Sequence, residues 1–137
     1  MIKAVCLMRR RAGMSADEFR VYYESHHAKI GEAVFPGRAQ KYMRRYLKPF
    51  VSEADFGHSG KPPLFDVVME VWYTDEAKMA ESFEILASER VRAFVQADEA
   101  KLFDPDGVYV YFVEECESDL SGPERDRTGA ERVLGIG

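Results

Sequence analysis

The chain has 137 residues and a mass of 15.7 kDa, the size of one domain, and its 46% hydrophobic, 12% aromatic and 31% charged residues exclude disorder of the whole chain. Lys and Arg number 19 against 24 Asp and Glu, for a formal charge of −5 and a pI near 5.3. Gripping a nucleic-acid backbone takes clustered cations, so no nucleic-acid partner is expected. Cys6 and Cys116 stand far apart in neither a CxxC nor a Cys/His ligand spacing. That gives no support to a disulfide framework or structural zinc, and each reads as a small buried hydrophobe. The N-terminus lacks a basic segment followed by an apolar one, and no stretch approaches the roughly 18 apolar residues of a membrane span. A soluble, cytoplasmic protein without membrane contact is the expectation.

The run Ile2–Arg10 is short and apolar and ends at Arg11-Ala12-Gly13, as a largely buried first strand would. Ser15-Ala16-Asp17-Glu18 has the form of a capping box, so a helix starts there. At about 100° per residue, Phe19, Tyr23, His26, Ile30 and Val34 share a stripe flanked by Tyr22 and His27, and Pro36-Gly37 stops the helix near residues 31–35. Ala39–Lys48 reads as a second strand, with Tyr42, Arg44 and Tyr46 on one side and Met43, Arg45 and Leu47 on the other. Residues 49–63, about fifteen of them and including His58, form a loop of a length often given to functional lids or disorder. Leu64–Tyr73 is the clearest strand, alternating Phe65, Val67, Met69 and Val71 against Asp66, Val68, Glu70 and Trp72.

A second helix opens on Thr74 or Asp75, runs through Met79, Phe83 and Leu86, and continues or restarts over Ser88–Ala100. After a turn at residues 102–107, Val108–Glu115 forms the fourth strand. Residues 1–116 then make one domain, and the charged segment 117–137 is a mobile tail or an arm that embraces a second subunit. The order β-α-β-β-α-β is that of an α+β, ferredoxin-like fold with a four-stranded antiparallel sheet and both helices on one face. Strand four has no polar side, since Val108, Val110 and Phe112 alternate with Tyr109, Tyr111 and Val113. A homodimer packed through the sheet face would cover what two helices leave bare.

Among residues able to carry chemistry, His26 and His27 lie with Phe19, Tyr22 and Tyr23 on the inner side of the first helix, where an imidazole could exchange protons near neutral pH. The plainer alternative is a core histidine tied to a hydroxyl or carbonyl. Asp66, Glu70 and Trp72 share one side of strand three. A carboxylate there either orients a histidine or pairs with Arg44 or Arg45 across the sheet. No metal-ligand spacing, glycine-rich phosphate loop, nucleophile elbow or haem motif is present, so neither a metal nor a bound cofactor is expected.

The segments MIKAVCLMRR, GMSADEFRVYYESHHAKI, FDVVMEVWYTDEA and ADEAKLFD together resemble the EthD-like family of the dimeric α+β-barrel superfamily, over roughly residues 1–115. The resemblance maps the family's helix residues onto Phe19, Tyr22, Tyr23, His27 and Ala28, singling out His27 over His26. It places the family's strand-three residues on Asp66, Glu70 and Trp72, and its acidic stretch on Asp98, Glu99 and Asp104. Lys29 departs from the proline that many members carry after His-Ala. The resemblance implies a dimeric barrel and a small-molecule enzyme without cofactor, acting by acid/base chemistry on an aromatic, polyketide-like or conjugated carbonyl substrate. Decarboxylation, dehydration, cyclisation and isomerisation all fit. His27 would be the general acid or base and Tyr23 would orient a substrate oxygen. Tyr22, His26, Phe19, Trp72, Asp66 and Glu70 would contact the substrate. A cofactor-free anthrone-type oxygenase is a second reading, and a non-catalytic accessory protein of an ether-degrading oxygenase system is a third.

Overall fold

The structure, a computed structural model, describes residues 1–51, 54 and 61–137. Its elements in chain order are β1 (Ile2–Arg10), α1 (Ala16–Tyr22), a π-helical turn (Tyr23–His27), α2 (Ala28–Val34), β2 (Lys41–Tyr46), β3 (Val67–Tyr73), α3 (Glu76–Ala87), α4 (Glu89–Ala100), β4 (Phe103–Phe112) and α5 (Arg127–Leu134). The sheet is antiparallel throughout, in the order β2-β3-β1-β4, which gives the expected α+β, ferredoxin-like topology.

Local chemistry accounts for the element ends. The Ser15 hydroxyl accepts from the Glu18 N–H while the Glu18 carboxylate accepts from the Ser15 N–H, the reciprocal capping box read from the sequence. Asp75 caps α3 by accepting from the N–H groups of Ala77 and Lys78. Ser88, with extended backbone, ends α3 and starts α4, so the second helical region restarts rather than continuing. β4 begins five residues earlier than the Val108 expected from the sequence, at Phe103 opposite Arg10, and a register shift follows between Met8 and Arg10. The close passage of β1 over this irregularity requires Gly107, where a Cβ would stand 2.7 Å from that of Arg9.

The helices cover one face of the sheet. Cys6 and Met8 of β1 and Val67 of β3 pack with Phe19, Tyr23, Ala28, Leu102 and Phe103, while Val71 and Tyr73 pack with Val34, Phe35, Met79 and Leu86. The second face, carrying Glu70 and Trp72, takes no part in these two clusters, and β4 leaves Tyr109, Val110, Tyr111, Phe112 and the following Val113 exposed. One reading of the sequence needs correction: Cys116 is exposed rather than buried, because it lies beyond the last strand. The segment after β4 carries α5, which Asp126 caps by accepting from the Gly129 N–H and Gly135 closes at a left-handed φ of 75°. No helix among the described residues is long and apolar enough to cross a membrane.

Candidate active site

A departure from regular helix geometry builds the site. Between α1 and α2 the backbone makes a π turn over Tyr23–His27, which holds one residue more than an α turn. The extra residue turns the downstream stripe back by one position. His27 therefore takes the inward place that regular spacing assigns to His26, and Gly31 follows it in the buried row. His26 is turned out to solvent, stacked on the Tyr22 ring at 4.6 Å with its Nδ1 2.9 Å from the Ser25 hydroxyl.

Inside, the His27 imidazole is held edge-on between Phe103 and Tyr23, with centroid separations of 5.2 and 5.0 Å. Its Nδ1 lies 2.7 Å from Oδ2 of Asp98, on α4, and the two side chains are only 13% and 11% exposed. The Tyr22 hydroxyl donates to the other oxygen of the same carboxylate, Oδ1, at 2.5 Å. A carboxylate only accepts, so Nδ1 carries its hydrogen toward Asp98 and the Nε2 lone pair is left to exchange a proton. Tyr22 pays for this arrangement in acidity: its bond to Asp98, with burial and the carboxylate's charge adding to it, pushes the phenol up to about 12. Three groups from α1, the π turn and α4 thus form a chain, Tyr22–Asp98–His27, in which the carboxylate fixes the tautomer and orientation of the imidazole.

His27 lines a cavity of about 500 Å³ between the helices and the sheet, within the range of small-molecule sites. Its walls are largely apolar, including Ile30, Phe35, Met69, Phe83, Leu86, Val95 and Val108. The polar lining groups are Tyr23, Tyr42, Arg92, Gln96 and Glu99. Burial pushes the phenols of Tyr23 and Tyr42 upward, so both stay protonated donors. The Tyr23 hydroxyl has no hydrogen bond of good geometry among the described residues, although Tyr42 stands beside it. Burial also raises the Glu99 carboxyl above its ordinary value; His27 opposes that shift and Asp98 reinforces it. Cys6, at the cavity wall, is raised to about 11 by burial and the nearby Glu99, so it is a protonated thiol and not a nucleophile. Gly31 makes room: a Cβ there would lie 2.5 Å from Cε2 of Tyr42. Among the described residues, no group of three His, Cys, Asp or Glu side chains is placed to hold a metal ion.

Of the candidate catalytic and substrate-binding residues read from the sequence, His27 and Tyr23 line this cavity, as does Glu99 of the acidic stretch. Tyr22 instead supports Asp98, His26 faces solvent, and Phe19 is core, packed edge-on against Tyr23. Glu70 and Trp72 cannot reach His27, because the two-residue period of β3 sends them to the face opposite Val67, Met69 and Val71. Glu70 pairs with Arg45 there, as the structural alternative held, and Trp72 lies under the ammonium groups of Lys3 and Lys41. Asp66 binds the Arg10 guanidinium at 2.5 Å and its N–H at 2.8 Å. The loop histidine, His58, lies outside the described residues. The partner of His27 is thus Asp98, which entered the sequence reading only within the acidic stretch ADEAKLFD.

Comparison with known proteins identifies the family and the fold. The family model described as EthD domain matches residues 11–106, a span that contains Tyr22, Tyr23, His27 and Asp98. Among solved structures, an EthD-like protein from Ralstonia eutropha JMP134 superposes with a TM-score of 0.58 at 17% identity, covering 82% of this chain and 90% of its own. A protein from Arabidopsis thaliana gives 0.55 at 17% identity, covering 88% and 100%. A dimeric protein of ferredoxin-like fold and unknown function from Bacteroides fragilis gives 0.50 at 11% identity, covering 83% and 95%. No curated protein matches the sequence.

Proposed function

Given that the chain belongs to the EthD domain family, we propose that it is a cofactor-independent enzyme of small-molecule metabolism in which His27 is the general acid or base. The observation that carries this reading is the 2.7 Å contact of His27 Nδ1 with a nearly buried Asp98, made by an imidazole that also lines a 500 Å³ apolar cavity. A histidine so oriented can take a proton from a substrate carbon or oxygen at Nε2 and return it elsewhere on the same molecule. The substrate must then carry the resulting negative charge itself, as an enolate or phenolate does. This favours an aromatic, polyketide-like or conjugated carbonyl compound. Tyr23, protonated and without a hydrogen bond of good geometry among the described residues, would donate to the oxygen on which charge develops. Dehydration, cyclisation and isomerisation need nothing further from the protein than these two groups.

We also assign residues 1–116 to the functional domain and infer a homodimer in which a second copy covers the second face of the sheet and β4. The exposed run Tyr109, Val110, Tyr111, Phe112 and Val113 supports it, since apolar surface of this extent marks an interaction site.

The test is to incubate the protein with a panel of hydroxylated aromatic acids, phenolic ketones and conjugated β-dicarbonyl compounds, following their absorption spectra and binding in parallel. At least one compound is expected to be converted, and His27→Ala should lower kcat by about 10²- to 10⁴-fold with binding retained. Conversion unaffected by His27→Ala overturns the assignment. Binding without conversion of any compound favours a ligand-carrying accessory protein instead.

A further inference from the structure

The cavity is polarised along α4. Arg92, Val95, Gln96 and Glu99 follow one another at helical spacing, and all four line it. Glu99 marks the end near His27 and Asp98, a carboxyl-rich end that repels anions. Arg92 lies seven residues earlier, so helix rise alone separates the two positions by about 10 Å. Arg92 is the one lysine or arginine among the described lining residues. Arg92 is exposed at this end, and its guanidinium, like those of several surface arginines, has no side-chain partner among the described residues, so it is free to meet an anion there. A cation with no internal partner at one end of an apolar cavity and acidic groups at the other make a site with a direction.

We propose that Arg92 is a substrate-binding residue that receives the carboxylate of a flat, two- or three-ring aromatic acid, whose opposite, uncharged end meets His27. This rests on the reading of the cavity as a substrate site and refines it. The planar guanidinium matches a carboxylate by two parallel hydrogen bonds, and Gln96, one turn further along α4, adds a neutral donor. The spacing of about 10 Å suits a fused-ring body, which the walls of Phe35, Phe83, Leu86 and Val95 would bury. Because the acid group is held away from His27, it serves as the handle and is not the group that reacts. Proton transfer at the far end, with loss of water or migration of a double bond, is then favoured over loss of that carboxylate as carbon dioxide.

Two fluorescent probes test this: 6-hydroxy-2-naphthoate, with its hydroxyl and carboxylate at opposite ends of the ring system, and its methyl ester. The acid is expected to bind about 10- to 100-fold more tightly than the ester. Arg92→Leu should bring the acid to the level of the ester while leaving the ester unchanged, Arg92→Lys should restore part of the difference, and His27→Gln should preserve it. Equal binding of acid and ester to the unaltered protein, or equal weakening of both by Arg92→Leu, overturns the role of Arg92 and leaves the cavity reading standing. Failure of both probes to bind overturns the two together.

Discussion

Replacing Asp98 by asparagine isolates what the carboxylate does for His27. Asparagine keeps the volume but exchanges a pure acceptor for a group that also donates. The change strikes two short contacts, His27 Nδ1 to Oδ2 at 2.7 Å and Tyr22 Oη to Oδ1 at 2.5 Å, where side-chain exposures of 13% for His27 and 11% for Asp98 leave little room for water to substitute. A hydrogen bond to a charged group contributes about 1.5–3 kcal/mol. At 1.36 kcal/mol per decade, losing that preference lowers the ratio of the working tautomer to the other by about 10- to 150-fold, which takes the working form from nearly all of the imidazole to about half or less. The direct assay is long-range ¹H–¹⁵N NMR of histidine-labelled protein at alkaline pH, the three histidines assigned by single substitution. The unaltered protein should show His27 with its hydrogen on Nδ1, and Asp98→Asn should shift it toward Nε2. With a converted substrate in hand, kcat should fall at least in proportion to the lost share of that tautomer, about 2-fold or more, with KM little changed. A hydrogen on Nε2 in the unaltered protein, or identical spectra for the two proteins, would refute the orienting role of Asp98.

The Tyr22 phenol is raised from 10.0 to about 12 in the folded protein, so its contribution to stability is fully present below pH 10 and is lost as pH rises to about 12; denaturant titrations of the unaltered protein and Tyr22→Phe should differ below that window and converge above it. Gly31→Ala puts a Cβ 2.5 Å from the Tyr42 ring and 2.8 Å from that of Phe35, so one of the rings must move. A loss of about 1–3 kcal/mol in denaturant stability and weaker naphthoate binding are expected, and unchanged values for both would show that the wall yields freely. Tyr109→Asp combined with Tyr111→Asp puts charge on the exposed strand β4, and sedimentation analysis should show a dimer become a monomer; a monomer before substitution would remove the inferred pairing.

The parts of the molecule governed by local rules were readable in the chain. The capping box at Ser15 and Glu18, the alternation along Val67–Tyr73 and the stop at Pro36-Gly37 are each decided by near neighbours, and each stands where expected. Phase and face were harder. Strand alternation separates Glu70 from Met69 without telling which of them the helices cover, and only packing decides that. Regular helical spacing favours His26, whereas one additional residue in the turn brings in His27, the residue that the EthD-like resemblance selected. Asp98 stands 71 residues from His27, on a helix whose seating depends on the whole fold, so no local pattern could pair them. In the tail, Asp126 and Gly135 were usable cap signals, masked by a composition rich in charge.

The π turn has a consequence for the alignment of this chain with its relatives. Five residues, Tyr23–His27, fill a turn that four would close, so the additional residue can be taken up within the turn between α1 and α2. Removing Ser25 should therefore shorten the bulge while leaving Phe19 upstream and Ala28 and Gly31 downstream in their present packing. A homologue built with a regular helix needs a gap in this turn to be paired correctly. Without that gap, an alignment anchored on Phe19 matches its inward histidine to His26, the imidazole that this protein turns to solvent.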